Sequence, residues 1–234
     1  MFDRIKKALA RTAPEPARPG GEPREPLAAD DRVSEWAVTQ GLSFSADRTG
    51  TVTMEGKVQG RRWRLERGRP TRDYVVGHEL RGRAELALHE DVAAMVMNRS
   101  LKEALESRAF EQSTDQLQTA IDSSLPQEVR WLAMFDEFAW EGPPAAFWDR
   151  YAVVAERRET AQGWIDPALA QLLLDWPAPG PSTEVPFTLL LLRGRAYLRM
   201  EYRPANLPTL QHAALVFTSA CESALRAPVD VALE

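Results

Sequence analysis

The chain has 234 residues, 44% hydrophobic and 27% charged, with a formal net charge of −5. That mixture suits one large globular domain or two small lobes with ample core material. The acidic balance argues against nucleic-acid binding by the whole surface, and the single cysteine, Cys221, excludes an internal disulfide and fits a reducing compartment.

The first helix expected is short, basic and amphipathic, with Phe2, Ile5 and Leu9 on one side and Arg4, Lys6, Lys7 and Arg11 around the rest. Residues 13–26 follow with five prolines and two glycines, a composition that reads as an extended linker. The opening lacks the apolar core and small-residue cleavage site of a signal peptide. The longest apolar run, Val185 to Leu192, is strand-sized and falls well short of the ~20 residues that cross a bilayer. A cytoplasmic protein, with a possible peripheral contact to membrane through its first helix, is the expectation.

The segment DDRVSEWAVTQG reads as a helix capped at Asp30 or Asp31 and stopped by Gly41. LSFSA and TVTMEGKVQ flank a turn at residues 47–50, Gly60 makes a second turn, and RRWRLER returns. YVVGHELRGRAELALH alternates over a long span, with Leu80, Leu86 and Leu88 on one face and Glu79, Arg81, Arg83 and Glu85 on the other. VAAMVM is expected as a buried strand, SLKEALESRAF as a helix with a Ser100–Glu103 capping box, and 112–123 as loop. A helix through SLPQEVRWLAMFDEFAWEG would align Trp131, Phe135 and Phe138 before Gly142 ends it. AAFWDRYAVVAE reads as a short helix running into a strand. DPALAQLLLDW is a helix with Asp166 as cap and Pro167 in its first position. VPFTLLLL and RAYLRMEY form a hairpin about Arg193-Gly194, and Asn206 caps a last helix with Leu210, Ala214, Phe217, Cys221 and Leu225 inward.

Strands joined by short turns predict an α+β fold, mainly antiparallel sheet with packed helices. The organisation expected is 1–27 as amphipathic helix and linker, 28–123 as one α+β lobe and 124–234 as a second, similar one.

Few residues suggest chemistry. His78 and His89 fall on opposite faces of one expected strand and His212 on the outer side of the last helix, so all three read as solvated and no metal site or cofactor is expected. His89-Glu90-Asp91 reads as a polar turn. Cys221 sits near the C-terminal end of a helix on its inner stripe, a packing position rather than that of a nucleophile. Dinucleotide, Walker and G-x-S-x-G patterns are absent from the sequence. Aromatics beside the Pro143-Pro144 bend, Trp140, Phe147 and Trp148, are candidates for an apolar groove, weighed against ordinary packing.

The strongest signal is charge. From Lys57 to Arg83 there are nine basic and three acidic residues, and from Ala84 to Arg150 five basic and thirteen acidic. Arg62, Arg64, Arg81 and Arg83 are therefore candidate anion-binding residues on one sheet face, although interspersed Glu66, Glu79 and Glu85 also describe a wet face that needs no ligand. The expected function is a non-enzymatic binding or adaptor module of the bacterial cytoplasm, the bacterial origin being a reading of its Arg, Ala and Pro usage. A protein partner is expected, an acidic partner or anionic lipid is an alternative, and nucleic acid is disfavoured because no aromatics interleave on the basic face. A hydrolase with an Asp/Glu/His site outside known motifs, and an anion or nucleic-acid binder acting through the arginine-rich sheet face, are the competing classes.

The proline-rich stretch cannot bury enough area to offset its ordering entropy. A chain lacking residues 1–27 is expected to keep the urea midpoint of the full chain; a large drop would show that this segment docks into the core.

Overall fold

Two of the sequence's hairpin signals fix the register of the sheet. Asp47 closes the first turn by accepting from the backbone amides of Thr49 and Thr51, at 2.8 and 2.9 Å. Gln59 and Gly60, both at positive φ, close the second. The computed structural model describes residues 27–115 and 127–227, so the expected basic helix and nearly all of the linker lie outside the described residues.

Among the described residues nine strands form one antiparallel sheet: β1 (Ser43–Ala46), β2 (Val52–Val58), β3 (Arg61–Gly68), β4 (Glu79–Glu85), β5 (Ala94–Asn98), β6 (Asp136–Glu137), β7 (Tyr151–Ala155), β8 (Phe187–Leu192) and β9 (Arg195–Glu201). Their order is β1-β2-β3-β4-β9-β8-β5-β7-β6. The segments expected as separate lobes thus contribute to one sheet, with β4 paired to β9 and β5 held between β8 and β7.

Seven helices accompany the sheet among the described residues: α1 (Leu27–Thr39), α2 (Arg99–Asp115), α3 (Gln127–Met134), α4 (Ala145–Arg150), α5 (Arg158–Trp164), α6 (Pro167–Leu174) and α7 (Leu207–Arg226). One sheet face carries the main core. Val52, Met54, Trp63, Leu65, Leu80, Ala84, Leu189 and Leu198 point into it and meet Val33 and Ala37 of α1 and Phe217, Ala220 and Cys221 of α7. Asn206 and Asp166 cap α7 and α6 as expected, each accepting from the third amide of its helix. Trp164 donates to the Ala220 carbonyl at 3.0 Å and Ser223 to the Trp164 carbonyl at 2.6 Å, which ties α5 to α7.

The opposite face is covered over part of its width. Met95, Met97, Val154 and Leu190 form a second core with Leu101 and Leu105 of α2 and Val129 of α3, together with Tyr74 and Val75 from the β3–β4 connection. The outward side of β2, β3, β4 and β9 lies beside that cover and outside it.

Several local expectations are corrected. The Ser100–Glu103 capping box is replaced by a tertiary contact: Ser100 donates to the Thr183 carbonyl at 2.6 Å and accepts from the Asn98 side-chain amide, whose Oδ1 receives the Phe187 amide. Helix α2 runs on to Asp115, through residues read as loop, and α3 stops at Met134, so Phe135 and Phe138 leave the helical stripe. β4 ends at Glu85, because Ala87 turns at φ 54 and leaves Leu88 half-buried. Helix α5 was not anticipated; it buries only Ala161 and Trp164, too few for a visible periodicity. No described helix is long and apolar enough to cross a membrane.

The missing side chain of Gly82 leaves room for the Phe217 ring of α7 against the sheet. A β-carbon there would meet Leu198 Cβ at 2.9 Å and the Phe217 ring at 3.0 Å. Gly82→Ala is expected to lower stability by about 1–3 kcal/mol through overpacking, read as an earlier urea midpoint.

Candidate functional site

Strict alternation sends every second residue of β2, β3, β4 and β9 away from the main core. Lys57, Arg62, Arg64, Arg81, Arg83, Arg195, Tyr197 and Arg199 share this outward face with Glu55, Glu66 and Glu85. Since α2 and α3 cover only the neighbouring strands, the face forms the floor of a hollow of about 1300 Å³, and one side of α3, with Gln127, Glu128 and Trp131, stands at its edge. Nine lysines and arginines line the hollow against four glutamates, a net of +5 within a chain of net charge −5.

The register sets like charges beside opposite ones. Lys57 lies opposite Arg62, Arg64 between Glu55 and Arg83, and Arg81 between Glu66 and Arg199. Directly opposed like charges destabilise a sheet unless something compensates. Two carboxylates compensate in part, each divided between two guanidinium groups. Glu66 accepts from Arg64 at 2.9 Å and from Arg81. Glu85 lies 2.6 Å from Arg83 and 2.7 Å from Arg195. Hydrogen bonds from Arg195 and then Arg83 hold the Glu85 carboxyl below the usual glutamate range. Arg62 has no ion pair among the described residues.

The end of the hollow toward α3 is buried. Glu128 is 5% exposed and takes Arg72 Nε at 3.1 Å on both oxygens and Arg199 Nη1 at 3.0 Å on one. Glu79, expected on a wet face, is fully buried: Thr71 donates its amide at 2.6 Å and its hydroxyl at 2.9 Å. Arg199 Nε sits 2.9 Å from the other Glu79 oxygen, close enough for ion pairing though off-axis for a hydrogen bond. The β3–β4 connection folds back over Glu79, which alternation alone does not reveal. The nearby Tyr74 phenol is pushed strongly up by burial and by Glu128, so it stays neutral.

All four candidate arginines therefore meet on one surface. Arg64 and Arg83 keep about half of their side-chain surface in solvent, at 52% and 56%, whereas Arg81 is half enclosed between Glu66 and Glu79. The sequence reading missed Arg195, Arg199 and Arg72, and the α3 wall. Alternation in RAYLRMEY was a visible signal for the first two; the pairing of β9 with β4 was not.

The aromatic candidates gather elsewhere. Trp140 and Trp148 meet edge to face at 4.9 Å, as do Trp148 and Phe147. Phe147 is fully buried in the main core, while the two tryptophans are half-buried against it. The three histidines stay apart, but His212 is not solvated: it stacks on Trp176 at 4.6 Å and bonds the Leu172 carbonyl at 2.9 Å, and burial lowers its pKa. His89 is exposed beside Asp91 at 3.3 Å. Among the described residues no cluster of three or more His, Cys, Asp or Glu is arranged to hold a metal ion.

No protein-family model matches the chain, and neither a curated protein nor a solved structure matches it significantly.

Two outcomes are expected from this geometry. Glu128→Ala leaves Arg72 and Arg199 without their shared anion and should cost about 2–3 kcal/mol, read from urea unfolding. Cys221 is fully buried and its pKa is pushed up to about 12 by burial and then by Glu222. The unfolded thiol ionises near 8.5, so folding suppresses the thiolate through the interval up to the folded value and loses stability as pH rises across it. Thiol labelling at pH 8 should follow the global unfolding rate; rapid labelling of the native chain would contradict this.

Proposed function

We propose that the protein is a binding module and that the arginine-lined hollow is where its partner docks, through a carboxylate-rich protein segment. The observation that carries this reading is the excess of positive charge left by the register: opposed cations share two glutamates, and Lys57 and Arg62 add to the surplus. An arriving carboxylate between Arg64 and Arg83 would relieve repulsion already present in the free protein. Arginine suits this role because its planar fork engages a carboxylate through two parallel hydrogen bonds.

A protein segment fits better than a nucleic acid. Glu55, Glu66 and Glu85 interrupt the basic surface and would repel an unbroken line of phosphates, whereas a polypeptide can set its own cations against them. A recessed floor beside a helical wall also favours a segment over a flat bilayer. A cytoplasmic, adaptor-like role, motivated by the single unpaired thiol, belongs to the same proposal.

The test compares a fluorescent dodecaglutamate peptide with single-stranded DNA and anionic vesicles. The peptide is expected to bind with strong salt dependence and to lose at least tenfold in affinity for the Arg64→Glu, Arg83→Glu double variant, with an unchanged circular dichroism spectrum. Tighter binding of DNA or vesicles, or indifference to the double variant, would overturn the reading.

A further inference from the structure

The hollow is asymmetric. Its floor is cationic, but on the side of the second core three half-buried apolar side chains face it: Trp131 from α3, Leu192 from β8 and Tyr197 from β9. Tyr197 lies in register between Arg83 on β4 and Leu190 on β8, so the change from charged to apolar lining falls along β9. A ligand matching both sides needs carboxylates on one flank and apolar side chains on the other.

The backbone of that ligand is constrained as well. Arginine and lysine side chains donate hydrogen bonds and accept none. Of the carboxylates on the floor, Glu66 and Glu85 are already taken up by four arginines, which leaves Glu55, opposite Arg64, at one side. An extended peptide lying on this face would find few acceptors for its N–H groups, and the sheet face offers no ladder to complete. A helix satisfies its own backbone and presents only side chains.

We infer that the partner segment binds as an amphipathic acidic helix, its carboxylates over Arg64 and Arg83 and its apolar stripe against Trp131, Leu192 and Tyr197. This rests on the docking reading above and adds conformation and patterning to it. Acidic residues on one flank and apolar residues at i, i+3 or i+4, and i+7 on the other are the sequence signature such a segment must carry.

The experiment is a selection of random 16-residue peptides, displayed singly, against the full-length chain, followed by synthesis of the enriched sequences. Enriched peptides are expected to show the helical spacing of apolar residues with Asp or Glu opposite, and to gain helical circular dichroism on binding. They should bind at least tenfold more weakly to the Arg64→Gln, Arg83→Gln variant and to Trp131→Ala. If Trp131→Ala shifts the urea midpoint strongly, Leu192→Gln replaces it as the apolar-side variant. Acidic peptides that enrich without helical spacing, yet still depend on Arg64 and Arg83, would overturn the helix while leaving the docking reading intact. Enrichment indifferent to those arginines, or binding of single-stranded DNA or anionic vesicles in place of any peptide, would overturn both.

Discussion

The arrangement of the outward face depends on one guanidinium. Arg199, on β9, spans two buried carboxylates that come from opposite directions: Glu79 at the start of β4 and Glu128 at the start of α3. Arg72 closes the chain from the β3–β4 connection by gripping the same Glu128. Removing two carboxylates from water is costly, and it is tolerated here because each is met by a cation and Glu79 also by the Thr71 amide and hydroxyl. The result is positional. The network sets α3 beside the charged strands rather than across them, and so decides that part of the sheet is roofed and part is open.

That partition gives the same sheet two surfaces of different character. Toward α1 and α7, glycine at position 82 and small residues on α7 allow close packing, and the face is dry. On the other side, Met95, Met97 and Leu190 are roofed, and the next strands carry guanidinium groups in rows. Opposite charges in register stabilise pairing, and Glu55 faces Arg64 while Glu66 faces Arg81 across one edge of these strands. Across the other edge Arg64 faces Arg83 and Arg81 faces Arg199, so like charges also stand in register.

Local signals in the sequence carried much of this. Turns at Gly50, Gly60 and Gly194, the caps at Asp166 and Asn206, and the inner stripe of α7 are properties of short windows, and they appear in the structure where the letters put them. The common orientation of Arg62, Arg64, Arg81 and Arg83 was legible for the same reason, since alternation within a hairpin is local. What sequence order hid was long-range. Nothing near β4 announces that its free edge meets β9, more than a hundred residues on, so the contribution of Arg195 and Arg199 could not be read. Glu79 looked wet because only the fold-back of residues 69–78 encloses it, and Ser100 looked like a cap because its real partner, the Thr183 carbonyl, is distant in the chain. Helix α5 has too small a buried side to stand out from its polar residues.

The place of the β8–β9 hairpin has a consequence for how the chain reaches its fold. β4 and β5 are close in sequence, yet this hairpin lies between them. Until residues 187–201 have been made, the strands already synthesised have no partner across that gap, and the edges of β4 and β5 face nothing. Closing the sheet must await the last third of the chain, with the loop-closure entropy that contacts of such separation carry. Vectorial synthesis therefore delivers two partial sheets first, and the hairpin, arriving late, is the wedge that makes them one.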